Sequence, residues 1–275
     1  MLVVRLALGV AFGYGVVVWL AWWLQERLAF PAPRAPVPDP RRLGLHHGER
    51  IELALPNGTK LVGWYLAARA EPAARASPAL LWFYGNGENI AGLAPVLRDF
   101  QPPGAALLAV DYPGYGGSDG RATEAALYAA ADAAYAALAA RRGVDPRRIY
   151  VYGRSLGSAV ATHAAAHHPV AGLILESPFT NARAMARHLY RLLPRSILRL
   201  ALDTLATISR VRCPVLVFHG TADRLVPTAM GLQVAAAAPG PVEVVLIQGA
   251  GHNDTYTLGG RAYRDKVRLF VAGAV

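Results

Sequence analysis

Cysteine is almost missing from this 275-residue chain, which holds only Cys213. An intrachain disulfide is therefore impossible, and a small oxidised scaffold is excluded. Cys213 precedes a proline in the apolar run CPVLVF, which predicts a buried strand residue rather than a nucleophile. Lysine is nearly as scarce. It occurs only at Lys60 and Lys266, so arginine supplies almost all of the 28 basic residues behind a formal charge of +10. Such a balance suits nucleic acid or an anionic membrane surface. Zinc-finger spacing, an RNA-binding signature and a basic helix–turn–helix are all absent, so no nucleic-acid partner is expected. Internal repeats are absent too.

What is present begins with apolar bulk: 54% of the residues are hydrophobic, enough for one substantial core. From Leu6 to Leu24, LALGVAFGYGVVVWLAWWL runs 19 residues without a charge. At about 1.5 Å per residue a helix there spans roughly 28 Å, close to the hydrocarbon thickness of a bilayer. Trp19, Trp22 and Trp23 sit at its C-terminal end, where an interfacial aromatic belt belongs. A cleaved signal peptide fits less well. The run is too long, the only charge before it is Arg5, and no small-x-small site follows. Residues 1–30 are thus expected to form a single-pass membrane anchor. Arg27, Arg34, Arg41 and Arg42 follow it, which by the positive-inside rule leans towards a cytoplasmic domain.

Residues 31–40, PAPRAPVPDP, place five prolines in ten positions and predict a stiff, extended linker of about 30 Å at most. One folded domain is expected from residue 41 to 275. It opens with RIELALPNGTKLVGWYLAA, two alternating runs about Asn57-Gly58, a hairpin signal. Short apolar runs of buried-strand type follow: ALLWFYG, AALLAVDY, RIYVYG, AGLILES, PVLVFHG and VEVVLIQG. Helical segments separate several of them. In TEAALYAAADAAYAALAARRG, Thr123 is the expected N-cap, Gly143 the stop, and Arg141 and Arg142 complement the dipole. Repeated strand–helix units predict an α/β domain with a mostly parallel sheet covered on both faces, and chemistry at the C-terminal ends of its strands.

Two stretches match G-x-S-x-G, a pattern for a serine nucleophile. One is DYPGYGGSDG, with Gly116, Ser118 and Gly120; the other is YVYGRSLGSAVA, with Gly153, Ser155 and Gly157. An elbow needs a strand ending at the serine, a helix starting after it, and small residues two positions to either side. Ser155 meets each requirement. Ser118 lies seven residues beyond the strand end at Asp111, among Pro113, Gly114, Gly116 and Gly117, and the next helix waits until Thr123. Ser155 is the expected nucleophile.

A serine needs a base, and the base an acid. A serine on such an elbow is followed in the chain by the acid and then by the histidine. Of the eight histidines, His252 is best placed, in the glycine-rich loop GAGHND after the last strand. His219 ends its own strand ahead of the acid and is expected to be structural. His163 and His167, four apart on a helix, lack the third ligand and intervening Glu of a metal site, so no metal is expected. Asp223, in the polar loop HGTADRLVP, is preferred as the acid over Glu176. The latter ends a strand before Ser177-Pro178 and reads as a hydrogen-bonding support. The oxyanion hole is expected from the amides of Leu156 and of Asn86, the latter in the loop after LWFYG, beside Gly85. That Gly-x-Gly is no phosphate loop, because no lysine follows, and the dinucleotide fingerprint is absent; no cofactor is implied.

YGNGEN, DYPGYGGSDG, GRSLGSA, LESPFT, CPVLVFHGTADRLVP and GAGHND recur in order between about Leu80 and Asp254. Together they make the chain resemble the α/β-hydrolase fold superfamily. It looks most like the membrane-anchored serine hydrolases in it, a group that includes acyl-protein thioesterases. The resemblance implies an α/β-hydrolase fold, a triad of Ser155, Asp223 and His252, and ester, thioester or lipase-like chemistry on a small-molecule or acylated substrate. One departure is Tyr84, where the group usually has histidine before the oxyanion-loop Gly-Asn. A peptidase, an acyltransferase or a catalytically silent binding protein are alternatives on the same scaffold.

The segment at about 177–212 is expected to be a short cap over a fairly open site. In it Arg183, Arg187, Arg191, Arg195 and Arg199 recur every fourth residue, either as a solvated helix face or as a surface resting on anionic headgroups.

Overall fold

The structure, a computed structural model, describes residues 1–69, 76–190 and 192–273. Helix α1 (Leu2–Ala29) is followed by a 3-10 helix at Pro40–Leu43, then β1 (Gly48–Ala54), β2 (Lys60–Leu66), β3 (Ser77–Phe83), α2 (Ala94–Phe100) and β4 (Ala106–Val110). The chain continues through α3 (Glu124–Ala139), β5 (Val144–Arg154), α4 (Leu156–His167), β6 (Gly172–Glu176) and α5 (Ala182–Leu189). It closes with α6 (Thr204–Ile208), β7 (Val215–Gly220), α7 (Thr228–Ala237), β8 (Val242–Ile247) and α8 (Thr255–Val271).

The strands form one sheet in the order β1-β2-β4-β3-β5-β6-β7-β8. β1 and β2 pair as the expected hairpin, Ala54 opposite Lys60. Gly58 takes φ +82° in the turn, and Asn57 Oδ1 accepts the Thr59 amide at 3.0 Å. β2 runs antiparallel to β4, and every later pairing is parallel. β4, β6 and β7 are buried along their whole length, which is why they read as unbroken apolar runs. β8 differs. As the edge strand it alternates, leaving Val242, Val244 and Leu246 partly exposed, so an apolar run did not mean burial there.

Thr123 caps α3 as expected, its Oγ1 accepting the Ala126 amide at 3.1 Å. The helix stops at Ala139, short of Gly143, which takes φ +88° in the turn entering β5. Arg141 therefore does not serve the helix end. Its guanidinium lies over the Tyr65 ring at 4.0 Å and pairs with Glu49, tying α3 to the hairpin.

The proline-rich linker is extended, as its composition dictates, but it lies on the domain instead of standing off from it. Gly116 donates to Pro33 O at 2.9 Å, Ala35 to Gly116 O at 3.3 Å, and Trp64 Nε1 to Pro38 O at 3.1 Å. Phe30 is buried in the main core. The C-terminal end of α1 is thus drawn against the rim of the sheet. Composition gave the linker its stiffness; the backbone groups of the DYPGYGGSDG loop gave it a surface to bind.

Candidate active site

β5 runs into Ser155, which adopts φ 50° and ψ −114°, and α4 starts at Leu156. A positive φ is costly for a residue with a Cβ, so the neighbours must hold it there. They do so by close approach. A Cβ on Gly153 would lie 2.2 Å from Gly157 O, and one on Gly157 would lie 2.2 Å from Phe83 O and 2.7 Å from Tyr84 O. Both elbow glycines are therefore required, and Gly157 is pressed against the backbone that becomes the predicted oxyanion loop.

Three loops at the C-terminal ends of β5, β7 and β8 bring the predicted residues together. Ser155 Oγ lies 2.9 Å from His252 Nε2, and His252 Nδ1 lies 2.8 Å from Asp223 Oδ2. With Nδ1–H donating to Asp223, Nε2 is left as an acceptor facing the serine hydroxyl. The Asp223 side chain is fully buried, which by itself would push its carboxyl upward. Hydrogen bonds from His219, His252 and the Val226 amide outweigh burial and hold it well below the ordinary range. The Leu225 and Val226 amides reach Oδ1 at 3.0 and 2.8 Å. His219 is structural, as expected: buried, it donates from Nε2 to Val226 O at 2.9 Å and backs Asp223.

Glu176 plays the supporting part its position suggested. It is buried between Tyr152 and Thr255, whose hydroxyls both donate to it, and Arg154 Nε lies 3.5 Å away. Ser118 is also structural. Its Oγ accepts the Val62 amide at 2.9 Å and donates to Asp111 O at 2.8 Å.

The predicted oxyanion loop is held by three hydrogen bonds. Glu88 Oε2 accepts the Gly85 amide at 2.8 Å; Tyr115 donates to Asn86 Oδ1 at 2.6 Å; Asn86 Nδ2 donates to Ala29 O of α1 at 2.6 Å. The amides of Asn86 and Leu156 have no acceptor among the described residues, and Asn86, Leu156 and Ser155 line one cavity of about 700 Å³. A second cleft of about 630 Å³, lined by Asn181, Arg183 and Arg187 among others, includes none of these groups.

A family model described as alpha/beta hydrolase fold matches residues 78–204. The Mycobacterium tuberculosis protein Rv2307c is 36% identical over 94% of this chain and 90% of its own length. The chain belongs to the α/β-hydrolase fold family. Alpha/beta hydrolase domain-containing protein 17B of Xenopus laevis is 35% identical over 60% of this chain, which spans only 56% of that relative. Among solved structures, a Pyrococcus furiosus esterase, Pf2001, superposes with a TM-score of 0.68, covering 88% of this chain and 98% of its own at 18% identity. At that identity the likeness is one of fold.

Within this α/β-hydrolase, Tyr84 fills the place usually held by histidine and braces what lies around it. Fully buried, it donates to Asp111 Oδ1 at 2.9 Å, accepts the Tyr112 amide at 3.1 Å, and its carbonyl accepts Tyr112 Oη at 2.9 Å. Burial pushes the Asp111 carboxyl upward, against three donors that favour its charged form. The residue that sequence reasoning passed over is Arg154, the first x of G-R-S-L-G. Its Nη1 donates to Glu88 at 2.7 Å, and its Nη2 donates to His252 O at 3.1 Å and Asn253 Oδ1 at 2.7 Å. One side chain thus links the oxyanion loop, the histidine loop and Glu176. A lone arginine closing an apolar strand was the available signal.

His163 and His168 both meet Asp132 Oδ1, at 3.2 and 2.8 Å, and His167 Nδ1 meets His163 O at 2.8 Å. Among the described residues no three His, Cys, Asp or Glu side chains are grouped so that they could hold a metal ion. In the cap, α5 ends at Leu189, so the arginine series does not share one helix. Arg183 and Arg187 are exposed on α5 and Arg199 lies beyond the Pro194 break; Arg191 and the Arg195 side chain fall outside the described residues. Where the sequence suggested a fairly open site under a short cap, residues of α1 line the cavity as well.

Proposed function

We propose that the protein is a serine hydrolase that cleaves carboxylic ester or thioester bonds, held at a membrane by α1. The observation that carries this reading is the unbroken contact from Ser155 Oγ through His252 to the buried Asp223, with the serine at a positive φ on the elbow.

In this reading His252 Nε2 takes the Ser155 proton as Oγ attacks the acyl carbonyl. Asp223 holds the imidazole tautomer and stabilises the imidazolium. The tetrahedral oxyanion is stabilised by the Leu156 and Asn86 amides, with the positive end of the α4 dipole behind the first. Collapse breaks the bond to the leaving alcohol or thiol, which departs with the proton from His252. Water, deprotonated by the same histidine, then attacks the acyl-enzyme, and the acid leaves as Ser155 recovers its proton. Anchoring rests on α1, 28 residues long with a mean hydropathy of 2.0 over its most apolar window.

A fluorophosphonate probe tests the nucleophile. The wild type and Ser118→Ala should label, and Ser155→Ala should not, with ester turnover falling by a factor on the order of 10⁴ or more. A wild type that takes no label would sink the proposal.

A further inference from the structure

The cavity at Ser155 is not built by the hydrolase domain alone. Ala21, Gln25 and Leu28 of α1 line it, and their spacing of four and three residues places them on one helix face. Met185, Leu189 and Ile197 of the cap line it from across. At about 700 Å³ and mostly apolar, it has the size and character of a ligand pocket.

The contact between α1 and the cap is specific. Gln25 follows directly on the apolar run of α1 and is buried, and both its oxygen and its nitrogen bond backbone groups. Oε1 accepts the Arg199 amide at 2.6 Å, while Nε2 donates to Ile197 O at 3.2 Å and Trp22 O at 2.8 Å. A buried side-chain amide is costly unless it meets such partners. At the end of α1 the Ala29 carbonyl, one of the last that a helix leaves unpaired, accepts from Asn86 of the oxyanion loop.

The cap also reaches up along α1. Tyr14 donates to Leu192 O at 2.8 Å, about 16 Å along the helix from Gln25. Leu189, Tyr190 and Leu192 are 44, 56 and 85% exposed, so the cap presents apolar side chains at the level of the apolar helix. In water this surface is unfavourable; beside hydrocarbon it is not.

Resting on the serine-hydrolase reading, we infer that α1 is one wall of the acyl-binding site, and that the long acyl chain of a bilayer amphiphile reaches Ser155 laterally between α1 and the cap. The anchor then does more than tether. It supplies part of the pocket and steadies the loop that carries the Asn86 amide.

The test uses the full chain in phosphatidylcholine nanodiscs with p-nitrophenyl palmitate and p-nitrophenyl acetate. Ala21→Trp and Leu28→Trp fill the cavity from the α1 side and should lower the palmitate-to-acetate ratio of kcat/KM at least about tenfold. Val10→Trp, on an exposed part of α1 away from the cavity, should leave the ratio within about twofold. An unchanged ratio in both cavity variants, or an equal fall in Val10→Trp, overturns the inference. Wild-type protein with a fatty acid bearing a terminal diazirine gives a readout free of variants. Crosslinks should map to residues 21–30 and 185–202 and be competed by unlabelled palmitate ester; crosslinks confined to residues 2–19 overturn it. Absence of probe labelling on wild-type Ser155 would instead defeat the parent reading, and this inference with it.

Discussion

Gly157→Ala places one methyl group against the backbone that leads into the oxyanion loop. The new Cβ would stand 2.2 Å from Phe83 O and 2.6 Å from Phe83 C, where ordinary contact begins at 3.4 Å. The neighbouring atoms belong to the end of β3, not to a flexible side chain, so the strand end and the loop must retreat by roughly 1 Å. A displacement of that size costs on the order of 10²-fold when it misplaces a reacting group. Losing one oxyanion donor costs about 10²–10³ in kcat. We therefore expect kcat for a short ester to fall about 10²-fold or more in Gly157→Ala, with KM changed little, because the damage lies in stabilising the transition state. Gly92→Ala is the matched control. It follows the same loop, but its Cβ would meet nothing nearer than 3.6 Å, and it should stay within about twofold. Stopped-flow ester hydrolysis gives kcat and KM, and thermal melts report whether the fold survives. A folded Gly157→Ala with kcat within threefold of wild type would refute the reasoning that this contact sets the loop.

Two further outcomes follow from side chains around the site. Arg154→Met removes the link between Glu88, Asn253 and the His252 carbonyl, so kcat should drop by about 10- to 100-fold while fluorophosphonate labelling persists at a reduced rate; full activity would remove its positioning role. Asp223 is held below its unfolded pKa of roughly 3.9, so its contribution to stability is present above that value and lost as pH falls through the lower folded value. Urea titrations of wild type and Asp223→Asn should therefore show a gap that is constant above about pH 5 and narrows below about pH 4. A gap that widens on acidification would contradict the assigned direction.

Much of the molecule was legible in the order of its residues because local physics fixed it. The Asn57-Gly58 hairpin, the Thr123 cap and the buried parallel strands each follow from short-range geometry or from burial on both faces of a sheet. The choice of Ser155 over Ser118 followed from the same source, since an elbow needs a strand before it and a helix after it. What misled was equally local. VEVVLI reads as a buried strand because apolar content is visible in sequence, whereas its place at the sheet edge is not. Arg141 and Arg142 suit a helix end by spacing, yet Arg141 found Tyr65 and Glu49, which only the folded hairpin brings near.

By itself, then, the sequence determined the elements, their order, the serine, histidine and aspartate that meet, and an apolar helix long enough to span a bilayer. Only the tertiary structure decided what holds those groups in register: Tyr84 against Asp111, Arg154 across the oxyanion loop, the histidine loop and Glu176, and Asn86 on the Ala29 carbonyl of α1. The physical reason is distance along the chain. Gln25 and Arg199 lie 174 residues apart in sequence, and Arg154 and Asn253 lie 99 apart, and no periodicity connects them. They become neighbours only when the sheet sets the strand ends side by side and the linker lies down upon it. That same closure turned an expected spacer into a docked segment, and the expected anchor into a wall of the cavity.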